Sequence, residues 1–397
     1  MIAHCRTRPV RRSLRTPGVF FLGLLTVLGL GVAAYRFAFG LGAVTNLDQQ
    51  HPWGLWIAID VATGVALAAG GFTSAALAHV FHREEFHAIT RPALLTAMLG
   101  YTFVGLGLMV DLGRYYNIWH PILPRMWQGN SVLFEVGMCV MCYLVVLYVE
   151  FLPAVCERFA ADAHRPQLAR SSRRALRILN RTMFLFILAG VVLSCLHQSS
   201  LGALMLIAPT KMHPLWYTPI LPLLFLLSAI AVGFPMVIVE STISAWALRV
   251  PQESSVLCKL AGIIPVMLGL YLAAKIADLF IREAYGGVSE GSVQSLMFLI
   301  EVGVGVVLPL VMLCTARVRQ SSGWRLTAAL LVVLGVALNR VNVFLVAYQP
   351  PYAARPYLPS AGEVAVTIGL ISLLILTYRV VVTYLPVLNV SREASVT

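Results

Sequence analysis

The sequence predicts an all-α fold, a polytopic transmembrane bundle of ten helices, and three observations point to it. The 397-residue chain is 59% hydrophobic and only 12% charged, whereas soluble domains carry about 25% charged residues. Its basic residues are also unevenly distributed. Finally, ten apolar stretches reach the roughly 20 residues that a helix needs to cross a bilayer. They lie near residues 17–38, 53–80, 92–111, 131–152, 182–206, 219–248, 258–282, 293–315, 325–346 and 364–386.

The distribution of Lys and Arg predicts the orientation of the chain. With the N-terminus inside, twenty of the 29 basic residues lie in cytoplasmic segments and five lie on the opposite side. This bias follows the positive-inside rule, so the net charge of +12 reports topology and does not indicate a nucleic acid partner. We expect a membrane protein with two cytoplasmic termini: a basic tail at 1–16, a membrane domain at 17–386 and a tail at 387–397.

The first apolar stretch raises a separate question, because residues 10–15 (VRRSLR) resemble a twin-arginine export signal. The stretch is long for a signal core, and nine further spans follow it. A retained first helix is therefore favoured over a cleaved signal.

An internal repeat predicts how the spans are grouped. Residues 111–115 resemble residues 278–282, with Asp111 matching Asp278 at an offset of 167, and residues 131–137 resemble residues 295–303, with Glu135 matching Glu301 at an offset of 166. An even number of spans separates the copies, which is the pattern of a parallel repeat. Spans 2–5 (about 53–206) and spans 6–9 (about 219–346) are predicted to form two four-helix bundles, with one span flanking at each end. The Arg-rich segment 153–181 is expected to be an interhelical connection.

Seven strongly charged side chains lie inside the apolar spans. They are Asp60, Glu135, Glu240, Lys275, Asp278, Glu301 and Arg340. Each costs roughly 2.5–3.5 kcal/mol to insert, and such residues usually serve ions, protons or ligands. At 1.5 Å of rise per residue, all of them except Glu240 fall in the outer half of the bilayer, together with His197. We therefore expect a polar pocket on the outer side, with Tyr101 and Glu240 lying deeper.

Four of these charges also have a structural interpretation. Lys275 and Asp278 are one helical turn apart and could form a local ion pair. Arg340 could pair with Glu301 across two helices.

Three of the seven charges remain, and two further charged residues lie at the ends of spans. Arg91 and Glu150 lie at the cytoplasmic ends of spans, where long side chains reach toward the headgroups. Asp60, Glu135 and Glu240 have no cation three or four residues away on their own helix. A functional role is favoured for these three.

The sequence offers little to hold a metal or a redox cofactor. Cys139 and Cys142 lie one turn apart in an apolar helix, and no ferredoxin-like cysteine spacing is present. His197 and His79 fall near opposite faces of the membrane, so they form no evident pair of axial haem ligands. We expect no metal site, no iron–sulfur cluster and no haem in this chain. If electrons reach it, another subunit must bring them.

Several segments resemble a known family. Residues 51–60 (HPWGLWIAID) are similar to a signature of the NrfD/polysulfide-reductase family of membrane subunits. Residues 111–117, 130–135 and 197–202 resemble its HybB-type branch, the membrane subunits of periplasmic nickel–iron hydrogenases. The resemblance covers roughly residues 20–385.

The resemblance implies a quinone-reactive subunit that passes electrons from a periplasmic iron–sulfur subunit, fed by the hydrogenase large and small subunits, to menaquinone or ubiquinone. Protons would be taken up through the subunit. By matching positions, the resemblance assigns proton handling to Asp60, Tyr101, Glu135, His197, Glu240 and Arg91, and quinone binding to Asp60, Glu135, His197 and Arg340.

Two alternatives remain open. The same fold could oxidise quinol to serve a polysulfide, nitrite or other sulfur-linked oxidoreductase. A secondary transporter would also have parallel repeats and charges near the midplane. However, Pro235 interrupts the sixth span with no proline at the matching place in the second, which disfavours a transporter.

Overall fold

The predicted all-α membrane fold is confirmed in a computed structural model that describes residues 7–10, 12–162, 164–353 and 355–389. Most of the predicted C-terminal tail and the first six residues of the N-terminal tail lie outside the described residues. Within them, ten helices are long and apolar enough to cross a membrane. They are α1 (Pro17–Phe39), α2 (Trp56–His79), α3 (His87–Asp111), α4 (Val132–Ala160), α5 (Pro166–Ile207), α6 (Leu221–Leu248), α7 (Ser254–Ile281), α8 (Val293–Cys314), α9 (Ser322–Val346) and α10 (Ala361–Tyr384).

The helices pack as two closed four-helix bundles. In the first bundle α2, α3, α4 and α5 contact one another in cyclic order, and in the second bundle α6, α7, α8 and α9 do the same. Helices α2 and α5 pack against α6 and join the bundles, while α1 pairs with α10 on the outside of α2 and α3. The identical cyclic order of contacts is the arrangement that a parallel repeat requires.

The Arg-rich segment 153–181 is not an extended connection, and that expectation is wrong. Helix α4 continues to Ala160 and α5 begins at Pro166, so only five residues join the two. Arg, Leu and Ala are strong helix formers, and a proline is favoured in the first turn of a helix. The two helices therefore continue beyond the apolar region instead of ending with it.

Two pairs of glycines allow helices to cross closely. A Cβ atom at Gly29 of α1 would lie 2.6 Å from the Cα atom of Gly369 in α10. Gly305 of α8 and Gly335 of α9 meet in the same way. Small residues at such crossings let backbones approach and gain van der Waals contact within a bilayer.

Helix α2 is irregular where it carries its polar residues. Its first two turns, Trp56–Thr63, are π-helical, a geometry that is frequent at functional sites. Further along, the Ala69 N–H bonds to the Ala66 carbonyl at 3.2 Å, which leaves the Val65 carbonyl for a donor from another helix.

A short ribbon closes the arginine-rich end of the molecule, called the inner end below. Strand β1 (Thr7–Arg8) pairs antiparallel with β2 (Leu388–Asn389). The Val10 N–H also donates to the Val382 carbonyl at 3.1 Å. The two ends of the described chain are thus bound together beneath the helices.

Candidate functional site

The main cavity is an apolar space of 450 Å³ bounded by α2, α3, α6 and α10. Its volume falls within the roughly 300–1,000 Å³ usual for organic ligands. The polar side chains in its wall are Asp60, Thr63, Thr96, Glu240, Ser244, Tyr378 and Arg379. The rest of the wall is aliphatic, aromatic or glycine, so the cavity suits a largely apolar ligand with a few polar atoms.

Asp60 lies at the outer end of the main cavity. Its side chain is only 9% exposed, and the Thr367 hydroxyl of α10 donates to its Oδ2 at 2.6 Å. A Cβ atom at Gly107 of α3 would lie 2.9 Å from the Asp60 Cβ, so the missing side chain leaves room for the carboxylate. No cation pairs with Asp60 within the described residues.

Glu240 lies at the inner end of the same cavity. The Tyr378 hydroxyl donates to Glu240 Oε1 at 2.9 Å and accepts a hydrogen bond from the Ser244 hydroxyl at 3.3 Å. By helical rise, Glu240 is roughly 20 Å deeper than Asp60. The structure therefore brings these two sequence-predicted carboxylates to opposite ends of one cavity.

Tyr101 and His197 form a hydrogen-bonded pair inside the first bundle. The Leu193 carbonyl accepts from His197 Nδ1 at 2.7 Å, so Nε2 carries the lone pair and accepts from the Tyr101 hydroxyl. The Tyr143 ring packs beside the imidazole, with centroids 5.4 Å apart. Gln198 donates to the free Val65 carbonyl of α2 at 2.9 Å. Both members of the pair are fully buried, and neither lines the main cavity.

Glu135 occupies a different position from the other predicted residues. It lies in the first turn of α4, which Ser131 caps by accepting from the Phe134 N–H at 3.3 Å. The Ser200 hydroxyl of α5 donates to Glu135 Oε1. Its side chain is exposed at the outer rim and does not line the main cavity.

Arg91 joins the inner ends of several elements. Its guanidinium forms two hydrogen bonds with Glu157 of α4, at 2.6 and 2.7 Å. It also donates to the Thr7 hydroxyl at 2.8 Å and to the Pro386 carbonyl at 3.4 Å. Two parallel N–H···O bonds to a carboxylate fix geometry strongly, so this contact holds the inner ribbon to α3 and α4.

The second bundle contains its own buried polar network, centred on Glu301. Lys275 and Asn339 donate to its Oε1, and Trp216 and Asn342 donate to its Oε2 at 2.9 and 2.8 Å. Four donors satisfy the carboxylate, which is what a charge buried in protein needs.

Both ion pairs considered from sequence are wrong. Lys275 pairs with Glu301 and not with Asp278. Asp278 instead pairs at 2.8 Å with Arg282, four residues further along the chain and just past the end of α7. Arg340 has no ion pair with Glu301; it donates to Asn339, to Ser228 and to the Phe225 carbonyl, and lies over the Phe225 ring at 3.7 Å. Asp278 is thus paired with the cation four residues away, and Arg340 is satisfied by neighbouring polar groups.

The expected outer pocket is therefore not one site. The structure divides its members among the main cavity (Asp60), the interior of the first bundle (His197), the outer rim (Glu135) and the second bundle (Lys275, Asp278, Glu301 and Arg340). Depth along a helix predicts a level in the membrane, but it does not predict which face of the helix a residue occupies or which bundle that face meets.

Glu363 is a buried acid that sequence reasoning missed. It closes a capping box with Ser360 at the start of α10. It also accepts hydrogen bonds from the Tyr357 hydroxyl and, at 3.2 Å, from the Asn46 N–H. Burial and the bond to Glu363 raise the pKa of Tyr357 above its usual value. The signal for this residue was the sequence SAGE at 360–363, a capping box at a helix start.

Arg36 is a second missed charge. It lies near the outer end of α1, is 1% exposed and donates to the Leu112 carbonyl after α3. Its guanidinium also lies 4.9 Å from the Phe37 ring and 5.2 Å from the Tyr115 ring. Cation–π contacts of this kind stabilise a desolvated arginine.

The outer loops build an aromatic surface above these sites. The Ala347 carbonyl accepts from the His213 N–H at 2.8 Å, and Met212 forms a β-bridge with Tyr348. Partial burial lowers the pKa of the His213 imidazole. Exposed aromatic side chains on this end include Tyr116, Trp119, Trp127 and Tyr352.

Comparison with known proteins identifies the family. The family model described as "Polysulphide reductase, NrfD" matches residues 43–351, which include α2 to α9 and thus both bundles. The chain belongs to the NrfD family.

Relatives of this NrfD protein are membrane subunits of oxidoreductase complexes. It is 36% identical over 384 residues to the "Probable Ni/Fe-hydrogenase 2 b-type cytochrome subunit" of Escherichia coli strain K12, covering 96% of this chain and 95% of the relative. It is 27% identical over 382 residues to the "Menaquinone reductase, integral membrane subunit" of Nitratidesulfovibrio vulgaris, covering 89% and 88%. A third relative is a selenate reductase subunit of Mesobacillus selenatarsenatis, 24% identical over 420 residues, covering 94% of each.

One relative of this NrfD chain is named as a b-type cytochrome subunit, and haem bound by histidine needs ring nitrogens that are free to ligate its iron. Both ring nitrogens of His197 are engaged, one by Leu193 and the other by Tyr101. His79 packs against His87 at the inner end, with ring centroids 4.8 Å apart. These described histidines do not fit a pair of axial ligands, and the absence of haem stays a prediction.

Proposed function

We propose that this NrfD-type protein transfers electrons between a partner iron–sulfur subunit and a quinone, menaquinone or ubiquinone, that occupies the main cavity. The observation that carries the proposal is an apolar cavity of 450 Å³ whose polar lining includes a carboxylate at each end. Hydrogenase and menaquinone reductase subunits among the relatives support this class of reaction.

The cavity offers a route for a ligand that arrives from the lipid. Ile243 of α6 and Ile371 and Ile375 of α10 line it and are 48%, 48% and 44% exposed. A quinone headgroup would enter between α6 and α10, and its isoprenoid tail would remain among these side chains and the lipid.

Asp60 is the group best placed to face the headgroup. It lies at the outer end, nearest to the aromatic loops where a periplasmic iron–sulfur subunit would dock. Reduction of one quinone takes up two electrons and two protons. An acid within hydrogen-bond reach of the headgroup oxygen is needed for the protons, and Asp60, held by Thr367, is such a group.

The partner assembly and the location belong to the same proposal. Electrons would come from the hydrogenase large and small subunits through a periplasmic iron–sulfur subunit. The protein would lie in a bacterial inner membrane with both termini in the cytoplasm, as the excess of Lys and Arg at the inner end predicts. Protons would be taken up through it, with Glu240 on the route.

Ile371→Trp tests whether the quinone uses this cavity, because a bulky indole ring at the lateral opening would obstruct the entry of the quinone. We expect the KM for a menaquinone analogue to rise about tenfold or more in hydrogen-dependent reduction by the whole complex. The matched control is Ile368→Trp, an exposed isoleucine one turn away on α10 that does not line this cavity. Equal kinetics for both variants would remove the main cavity from the reaction.

The reverse direction is supported by one observation. The selenate reductase relative is named for a complex that reduces its substrate, and such a complex needs an electron donor. The same cavity would then oxidise quinol. Adding a quinol analogue and selenate, polysulfide or nitrite to purified complexes, and following quinol oxidation, distinguishes the two directions.

A further inference from the structure

A second, smaller cavity lies below Glu240 at the inner end. It has a volume of 40 Å³ and is lined by residues of α3, α6, α10, the loop after α6 and strand β2. Pro251 and Glu253 of that loop stand at its edge, where Pro251 is exposed and Glu253 is half-buried. A space of this size holds about two or three waters.

The two cavities share one polar boundary. Glu240, Ser244 and Tyr378 line both of them. These side chains form one hydrogen-bonded chain, in which Ser244 donates to Tyr378 at 3.3 Å and Tyr378 donates to Glu240 at 2.9 Å. The donor order runs from Ser244 toward Glu240, so the two hydroxyl groups together hold the carboxylate at this boundary.

The walls of the two cavities differ in polarity. The inner cavity has the carboxylates of Glu240 and Glu253 in its wall and lies beside the inner surface. The main cavity is mostly apolar beyond this boundary, but the hydroxyl groups of Thr96 and Thr63 line it together with Glu240 and Asp60. Water from the inner side can therefore reach Glu240, and hydroxyl groups are present in the wall of the main cavity beyond it.

From this arrangement we infer that Tyr378 is the positioning residue of a proton inlet, holding Glu240 between the water-accessible inner cavity and the quinone cavity. The inference rests on the proposed function. Protons enter at Glu253, cross the inner cavity and reach Glu240, which supplies the main cavity when Tyr378 keeps it in place. Each quinone reduced to quinol then consumes two protons from the inner side and two electrons from the partner subunit.

Tyr378→Phe tests the inference because it removes one hydroxyl, and with it both hydrogen bonds, while keeping the ring that packs against the cavity. We expect kcat for quinone reduction by the whole complex to fall roughly tenfold or more, with KM for the quinone changed less than about twofold. We also expect a larger solvent deuterium isotope effect on kcat, because proton delivery to the quinone becomes the rate-limiting step. A merely structural role for Tyr378 would not change the isotope effect.

The matched control is Tyr384→Phe, on the same helix, exposed and lining neither cavity. Ser244→Ala is a second variant that interrupts the chain at its other end, so that the test survives if Tyr378→Phe does not assemble. Turnover and isotope effects equal to those of Tyr384→Phe in both variants would overturn the inference.

The side of proton uptake provides an independent measurement. In liposomes containing the whole complex and a pH dye on one side, the wild type is expected to alkalinise the inner-face compartment during quinone reduction. Alkalinisation of the outer-face compartment would overturn the inlet. A wild-type complex that oxidises hydrogen with an artificial dye but reduces no quinone analogue would instead refute the proposed function.

Discussion

The hydrogen-bonding role of a single side chain in this protein is set by the groups that surround it in the folded chain. His197 is a clear case, because the Leu193 carbonyl fixes one nitrogen as a donor and Tyr101 then donates to the other. Glu301 receives four donors from Lys275, Trp216, Asn339 and Asn342. Asp60 and Glu240 are exceptions, since hydroxyl groups are their only donors in the described part of the chain.

Tyr101→Phe is expected to lower the free energy of unfolding by about 1–3 kcal/mol, because it leaves His197 Nε2 buried without a donor. Thermal unfolding of the purified protein measures the effect. The control is Tyr143→Phe, a buried tyrosine of the same cluster whose hydroxyl makes no hydrogen bond within the described residues. A stability loss in the control equal to that in Tyr101→Phe would contradict this account of the pair.

The polar residues of the candidate site were partly predictable from the sequence. Asp60, Glu135 and Glu240 were distinguished by having no cation on their own helix, and two of the three do line the main cavity. Glu363 and Arg36 were missed because each lies close to the end of an apolar stretch, where a charge is ordinary. Tyr378 was missed because a tyrosine near a membrane surface is also ordinary.

At the scale of elements, the sequence predicted the number and approximate positions of the helices better than the residues at which they end. Apolar length placed all ten spans, but it could not show that α4 and α5 continue through the Arg-rich segment as helix. Hydropathy detects the part of a helix that lies in lipid, whereas helix propensity continues beyond it. The π-helical start of α2 also has no hydropathy signal, and it lies where α2 packs against α3, α9 and α10.

The crossing of α1 and α10 yields a prediction at this scale. Gly29→Leu should separate the two helices, since any Cβ there would collide with the Gly369 backbone. We expect a destabilisation of roughly 1–3 kcal/mol or more, measured by thermal unfolding. Gly31→Leu on the same helix is the control, because a Cβ at Gly31 meets nothing within 4 Å. Equal stability of the two variants would contradict the crossing.

At the scale of the whole molecule, two bundles divide the polar residues into separate interiors. The first bundle and α10 enclose the main cavity together with α6, while the second bundle buries its own ion pair. The repeat relates Glu135 to Glu301, yet one is exposed with a single donor and the other is fully buried with four. The two copies have therefore diverged in the environment of this acid while keeping a common packing order.

The absence of haem is the prediction that belongs to the whole molecule. Both nitrogens of His197 are engaged inside the first bundle, and His79 lies at the inner end of α2. The reduced-minus-oxidised absorbance spectrum of the purified protein should show no b-type haem. A stoichiometric haem band would refute the prediction, and it would require Tyr101 to release His197.

The sequence by itself determined the class of fold, the number of spans and the family, and it predicts the orientation from the placement of arginine. Those properties depend on composition and on local order along the chain, because the cost of burying polar groups in lipid acts on each segment separately. Only the tertiary structure decided that Asp60 and Glu240 face one cavity, and that Lys275 pairs with Glu301. These facts depend on which helix faces meet, and a helix face acquires its partner only when the bundles pack.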